Sequence, residues 1–183
     1  MTTDMITVNP VAPPGNPNFG GADVTICRGD TAPMGTPAEA GFSYTWAPGN
    51  YLPDNHVAEP IFTPGSLSLP NPDPILYYVT AEKEGCTFTD EVLAYVIEAD
   101  AWIDGCGPRY IGVGDNTPDI AETYEWVKIS GPATFTGPTD QARTTVSESL
   151  GSNSVFELRT TFNGVTCTDQ VIVTPPCECN VDV

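Results

Sequence analysis

The chain has 183 residues, with 24 Asp plus Glu against six Lys plus Arg and a formal net charge of −18. A surface this acidic repels nucleic-acid backbones and anionic lipid headgroups, which excludes both as partners, and it favours solubility and divalent cations instead. No apolar run approaches the length of about 18 residues that a membrane-spanning helix requires, so direct membrane insertion is excluded as well.

Gly and Pro contribute 17 and 19 residues, and no window holds a helical hydrophobic period over ten positions. Many short strands joined by tight turns are expected, giving an all-β fold. Met5-Ile6-Thr7-Val8 is a first strand candidate, followed by a Pro/Asn/Gly stretch from Asn9 to Gly21 in which no regular strand fits. Asp23 to Cys27 reads as the next strand and Arg28-Gly29-Asp30 as its turn. Phe42 to Trp46 alternates aromatic with small polar residues, so that Phe42, Tyr44 and Trp46 share a face. Val57 to Thr63 is weaker, because Pro60 confines it to an edge. Ile75 to Thr80 and Val92 to Ile97 are rich in β-branched and aromatic residues, with Glu82 to Asp90 between them as the turn region that carries Cys86. Glu98 to Gly105 reads as a connector. Strands are then expected at Arg109 to Val113, Tyr124 to Ile129, Ala142 to Ser147, Val155 to Phe162 and Val165 to Thr174.

This order contains a repeat. Cys27, Trp46 and Cys86 return as Cys106, Trp126 and Cys167 at offsets of 79, 80 and 81. Three anchors at nearly one spacing indicate a duplicated module. The expected layout is a segment 1–21 that ends a preceding repeat, a first module at 22–98, a second at 99–176, and a connector at 177–183 toward a following repeat. A Trp in the third strand of each module is the pattern of a two-sheet sandwich, with Trp46 and Trp126 as core residues. The opening Met1-Thr2-Thr3-Asp4 lacks a basic and apolar leader, yet six cysteines in Gly/Pro-rich β modules point to an oxidising compartment. Together these predict an excerpt of a longer secreted protein.

Several motifs resemble a known repeat family: Ile26-Cys27-Arg28-Gly29-Asp30, Tyr44-Thr45-Trp46-Ala47-Pro48-Gly49, Ala58-Glu59-Pro60-Ile61-Phe62-Thr63-Pro64, and Gly85-Cys86-Thr87-Phe88-Thr89-Asp90-Glu91-Val92. They are similar to the Ig-like/PKD-like repeats of very large secreted Bacteroidota proteins, among them gliding-type adhesins and surface filaments. Trp126-Val127-Lys128-Ile129-Ser130-Gly131-Pro132 resembles the Trp-x-x-x-Ser-Gly-Pro signature of PKD/REJ-type modules. The Gly-Asp-Gly turn that follows the Trp in typical PKD domains is missing from both modules. The likeness covers residues 22 to 174. It implies two tandem Ig-like/PKD-like β-sandwich domains, display outside the cell, neighbouring repeats as partners, possible assembly into filaments, and no catalysis.

Candidate sites follow from residue chemistry. The repeat period pairs Cys27 with Cys86 and Cys106 with Cys167. In an Ig-like order the first and last strands run parallel, which could leave Cys27 and Cys86 at opposite ends, but the repeat-matched pairs remain the expected ones. Cys177 and Cys179 have no counterpart in the first module, and three options stay open: a bond to each other, to the next repeat, or between chains. A Ca²⁺ ion takes six to eight oxygen ligands. The candidate sets are Glu98, Asp100 and Asp104, or Asp115, Asn116 and Asp119. The tripeptide Arg28-Gly29-Asp30 is read as a plain Gly turn. His56 has no nucleophile near it in sequence, so no catalytic residue is assigned. The leading reading is a disulfide-stabilised stalk, a non-catalytic structural repeat of an extracellular adhesin or filament. The alternative is a glycan- or partner-binding sandwich module, with Trp102 and Tyr51 as stacking aromatics.

Overall fold

Two pairs of residues with positive φ fix the longest hairpins. Glu84 and Gly85 have φ of 51° and 81°, and Asn163 and Gly164 have 48° and 75°. Two consecutive left-handed residues make the tight turn whose twist matches that of antiparallel strands. In the computed structural model, which describes residues 10–65, 74–104, 109–113 and 123–175, each pair closes a hairpin in tight register. Lys83 faces Cys86 in one, and Phe162 faces Val165 in the other. Twelve strands and no helix occur among the described residues. The strand candidate at Met5 to Val8 lies outside them.

The strands are β1 (Val24–Cys27), β2 (Ala32–Pro33), β3 (Ser43–Ala47), β4 (Ile61–Phe62), β5 (Ile75–Lys83), β6 (Cys86–Ile97), β7 (Ala101–Asp104), β8 (Arg109–Val113), β9 (Thr123–Ser130), β10 (Arg143–Val146), β11 (Ser154–Phe162) and β12 (Val165–Val173). The chain divides into two compact units. One comprises Met1–Val24, Thr31–Gly65 and Ile75–Ala94; the other comprises Thr25–Asp30, Ser66–Pro74 and Tyr95–Val183.

One four-stranded sheet has the order β1-β6-β5-β3, of which β3 and β5 belong wholly to the first unit, and β2 and β4 form a small second sheet. Strict alternation along β3 turns Tyr44 and Trp46 inward, and along β5 it turns Tyr77, Val79 and Ala81 inward. Trp46 faces Val79 in register and meets the Tyr77 ring edge-on at 6.5 Å. Phe62 of β4 closes on Tyr77 from the second sheet at 6.0 Å. Trp46, Phe62 and Tyr77 are completely buried, and each large side chain removed from water contributes about 2 kcal/mol. The polar ends are bonded: Trp46 Nε1 donates to the Val57 carbonyl at 2.9 Å and Tyr77 Oη to the Asn50 carbonyl at 2.6 Å.

In the second unit, two three-stranded sheets, β10-β8-β7 and β12-β11-β9, enclose one core. Ile111 and Val146 come from the first sheet; Trp126, Phe156, Leu158, Val171 and Val173 come from the second. Two antiparallel sheets around a shared core, with a Trp at its centre, make this an Ig-like sandwich. The repeat is visible in the bonds as well as the sequence. Asp90 accepts a hydrogen bond from Gly20 N and Asp169 accepts one from Ala101 N, both at 2.9 Å. Trp126 Nε1 donates to the Gln141 carbonyl at 3.1 Å, as Trp46 does to Val57.

Two stretches differ from the sequence expectation. The connector Glu98 to Gly105 contains β7, which pairs along its whole length with β8. The polar stretch Glu82 to Asp90 is mostly strand; only Glu84 and Gly85 turn, and the polar residues are the solvent-facing side of the hairpin.

Candidate functional site

The disulfide joins Cys27 to Cys167, with Cα atoms 5.6 Å apart and 140 residues between them in sequence. The expected Cys27–Cys86 bond is therefore corrected, and Cys86 is an exposed free thiol. The reason is strand direction. Asp23 accepts a hydrogen bond from Leu93 N, and Arg28 N donates to the Ile97 carbonyl. Both numbers rise together, so β1 and β6 run parallel, and Cys27 lies beside the end of β6. Cys86 opens that strand, eleven residues before Ile97, or about 35 Å away at 3.3 Å per residue. No disulfide spans that distance. The expected Cys106–Cys167 bond is corrected by the same observation, since Cys167 is already bonded. Cys106, Cys177 and Cys179 lie outside the described residues.

The hairpin turns also show why the period misled. Glu84 and Asn163, like Gly85 and Gly164, are offset by 79. At that offset Cys86 aligns with Val165, and Cys167 with Phe88. The two hairpin cysteines stand two residues apart on equivalent strands.

An open groove of about 470 Å³ runs beside the disulfide. Arg28, Asp30, Glu98, Thr166 and Asp169 line it. Arg28 Nη1 contacts Glu98 Oε1 at 2.6 Å, with both side chains partly exposed, and a pair so placed contributes at most about 1 kcal/mol. Each bonded sulfur also touches a carbonyl oxygen, Cys27 Sγ that of Thr166 at 3.7 Å and Cys167 Sγ that of Ile97 at 3.8 Å. These are contacts rather than hydrogen bonds, because a disulfide sulfur carries no proton. Cys167 is buried among the core residues. Arg28-Gly29-Asp30 is a turn in which Asp30 N donates to the Cys27 carbonyl and Gly29 takes φ of 88°.

The other candidates fall in separate places. Glu98 is engaged by Arg28. Asp100 makes contacts of its own, and only the backbone of Asp104 is described. Among the described residues no group of three His, Cys, Asp or Glu side chains is arranged to hold a metal ion. Asp115, Asn116 and Asp119 lie outside them. His56 is exposed and its Nδ1 lies 3.4 Å from Thr45 Oγ1. Trp46 and Trp126 are buried.

Trp102 is one-third exposed, and its ring is occupied. The indole lies over Gly112, donates from Nε1 to the Val113 carbonyl at 2.8 Å, and has the Arg143 guanidinium over it at 5.5 Å. Arg143 also covers the Tyr110 ring at 4.5 Å. Sequence reading named Trp102 without its neighbours, since only the β7-β8-β10 register brings Trp102, Gly112 and Arg143 into one row. Tyr51, the other aromatic named from sequence, lies in the first unit, and Val57 and Ile61 near it are the residues that sequence reading missed. Tyr51, Val57 and Ile61 are exposed around shallow grooves that also involve Pro53, Asp54 and Glu59. Tyr51 is held at φ of 64° by Thr63 N, which donates to its carbonyl at 2.8 Å.

Stacked sheets, buried tryptophans and a disulfide define an Ig-like β-sandwich fold. No protein-family model matches the chain, and no curated protein matches it. Solved structures of similar fold include the I67–I69 fragment of titin, at 13% identity and TM-score 0.42, covering 86% of this chain and 64% of the fragment. Another is the D00–D0 domain of intimin, at 11% identity and TM-score 0.44, covering 86% of this chain and 98% of that domain. A third is a SusE-like surface-located polysaccharide-binding protein from the Bacteroides thetaiotaomicron heparin utilisation locus. It shows 10% identity and TM-score 0.37, covering 85% of this chain and 33% of that protein.

Proposed function

We propose that the chain is a non-catalytic, force-bearing repeat of an extracellular adhesin or filament at the cell surface, with its neighbouring repeats as partners. The repeat unit is the sequence module, 22–98 and 99–176. The observation that carries the reading is the connectivity of the disulfide. When the chain is pulled from its two ends, tension passes from Cys27 through the bond to Cys167. The residues between them, 140 apart in sequence, are taken out of the load path. Their full extension would add about 480 Å at roughly 3.4 Å per residue. A single covalent bond thus makes nearly the whole chain inextensible. Such a bond belongs to an oxidising environment, which supports a location outside the cytoplasm. The acidic surface, at −18, keeps neighbouring stalks soluble and apart.

Single-molecule stretching tests this. The oxidised chain lengthens only by its ends, and added reductant releases about 480 Å more. An oxidised chain that already yields the full extension sinks the reading. The alternative, a glycan- or partner-binding module, draws on one observation: exposed Tyr51 on a shallow groove with Pro53 and Thr63, two residues that also line the groove of Val57 and Ile61. Glycan-array binding that disappears in Tyr51→Ala would favour it.

A further inference from the structure

The Cys27–Cys167 bond borders solvent rather than lying sealed in the core. Both cysteines line the open groove of about 470 Å³. Cys27 is partly exposed, whereas Cys167 is 4% exposed and packs among the core residues. Every residue of the groove belongs to one compact unit, either to Thr25–Asp30 or to Tyr95–Val183. A disulfide is broken by a thiolate that reaches one of its sulfurs, so access and the identity of the attacked sulfur govern the rate. The sulfur that an incoming thiolate meets here is that of Cys27.

The groove also carries charge of one sign in excess. The carboxylates of Asp30, Glu98 and Asp169 share it with a single guanidinium, that of Arg28. Glu98 is paired with Arg28 at 2.6 Å, and Asp169 Oδ2 accepts from the neutral Ala101 N at 2.9 Å. A concave site lined by one sign of charge raises the local concentration of solutes of opposite sign and lowers that of solutes of like sign.

We propose that the groove is a thiol-exchange site that delivers small cationic thiols to Cys27 and turns away anionic ones, glutathione among them. This rests on the stalk reading and supplies its regulation: the covalent bypass persists in anionic thiols and is released by cationic ones. The incoming thiolate attacks Cys27 Sγ, forming a mixed disulfide as the bond to Cys167 breaks. The Cys167 sulfur leaves with the electron pair and takes a proton from water; in the bonded chain it lies 3.8 Å from the Ile97 carbonyl, an acceptor for the new S–H. A second thiol then attacks the small-molecule sulfur of the mixed disulfide and frees Cys27. One S–S bond is lost from the chain and one forms between the two small thiols, which supply both electrons.

The test uses the full chain, oxidised and with its free cysteines alkylated. Initial rates of Cys27–Cys167 cleavage are followed by trapping and peptide mapping with cysteamine, 2-mercaptoethanol and mercaptoacetate at equal thiolate concentration. Each rate is divided by that of the same thiol on hydroxyethyl disulfide, which is uncharged. The expected result is a preference of about tenfold for cysteamine over mercaptoacetate at low salt, with the first adduct on Cys27. The preference shrinks toward unity in 1 M salt, where the screening length falls to about 3 Å. Asp30→Asn with Asp169→Asn lowers it, and Asp30→Asn alone, at an exposed residue, lowers it less. Glu59→Gln with Glu148→Gln removes as many carboxylates from outside the groove lining and leaves most of the preference in place. Equal normalised rates overturn the proposal, as does an equal fall in both double variants or a first adduct on Cys167. A rate that stops rising with thiol concentration also overturns it, because the bond is then opened by unfolding and not through the groove. The stretching of the oxidised chain involves no thiol, so a failure of the stalk reading appears there and a failure of the groove appears only here.

Discussion

Removing the disulfide with the paired change Cys27→Ser and Cys167→Ser isolates its contribution without leaving an odd thiol. In the chain-entropy description, a cross-link closing n residues removes about 2.1 + 1.5R ln n cal/mol/K from the unfolded chain. With a separation of 140 residues, this comes to about 5 kcal/mol at room temperature. Counting only the 72 residues from Tyr95 to Cys167 (167 − 95) lowers it to about 4.5 kcal/mol, because loop length enters as a logarithm. The magnitude is thus insensitive to whether the whole chain or one unit unfolds. It is comparable to the entire stability of a small domain.

The location of the loss is the sharper claim. Cys27 and Cys167 belong to the same compact unit, and Cys167 is part of its buried core. Hydrogen exchange on the serine variant should show amides of β11 and β12 losing protection by up to the full 4 to 5 kcal/mol, while β3 and β5 of the other unit keep theirs. Equal loss in β3 and β5 would refute the reasoning, since it would mean that the bond stabilises both units through loop closure of the whole chain. Unchanged exchange in β11 would refute it from the other side.

Trp46→Ala empties the centre of the first unit and leaves the Val57 carbonyl without its 2.9 Å donor. A loss of about 3–5 kcal/mol is expected by urea unfolding, with exchange in β11 unaffected. Gly35→Ala should destabilise the same unit, because Gly35 holds φ of 84° and an added Cβ collides with the Ala58 carbonyl; a lowered melting temperature checks it. Glu39 accepts from the backbone N–H groups of Gly15 and Asn16 at 2.8 and 3.0 Å, and these two bonds, Gly15 first, hold its carboxyl below the ordinary range. A carboxylate whose folded pKa is depressed stabilises above its unfolded pKa and loses that contribution as pH falls through the folded value. Protection of the Gly15 and Asn16 amides should therefore fade on acidification, and Glu39→Ala should remove it at neutral pH.

How much the sequence disclosed depended on the length of the pattern. Arg109–Val113 was legible to the residue, and Val155 to Phe162 to within one, where alternation persists over several pairs. Ala32–Pro33 and Ala101–Asp104 have two and four residues, too few to show a period, and tertiary pairing alone defines them. At Glu84-Gly85 the charged neighbours suggested a long loop, whereas positive φ at two positions needs only two residues. The disulfide was least legible, because it depends on which strand ends meet. Strand direction, inferred before the bond, already argued against Cys27–Cys86, and the repeat spacing argued for it. The structure favours direction, because a pairing taken from spacing assumes that each module closes on itself.

That assumption has a mechanical consequence. Bonds of the type Cys27–Cys86 would sit within single modules and leave each joint between modules to non-covalent contacts, so a pulled chain would still yield at its joints. The observed bond instead joins two segments of one compact unit, Thr25–Asp30 and Tyr95–Val183, and closes off the 140-residue span between them. Tension then reaches no hydrogen-bonded ladder between Cys27 and Cys167, and the limit on force is set by covalent chemistry. A chain with many short strands, each individually easy to peel, gains most from that arrangement.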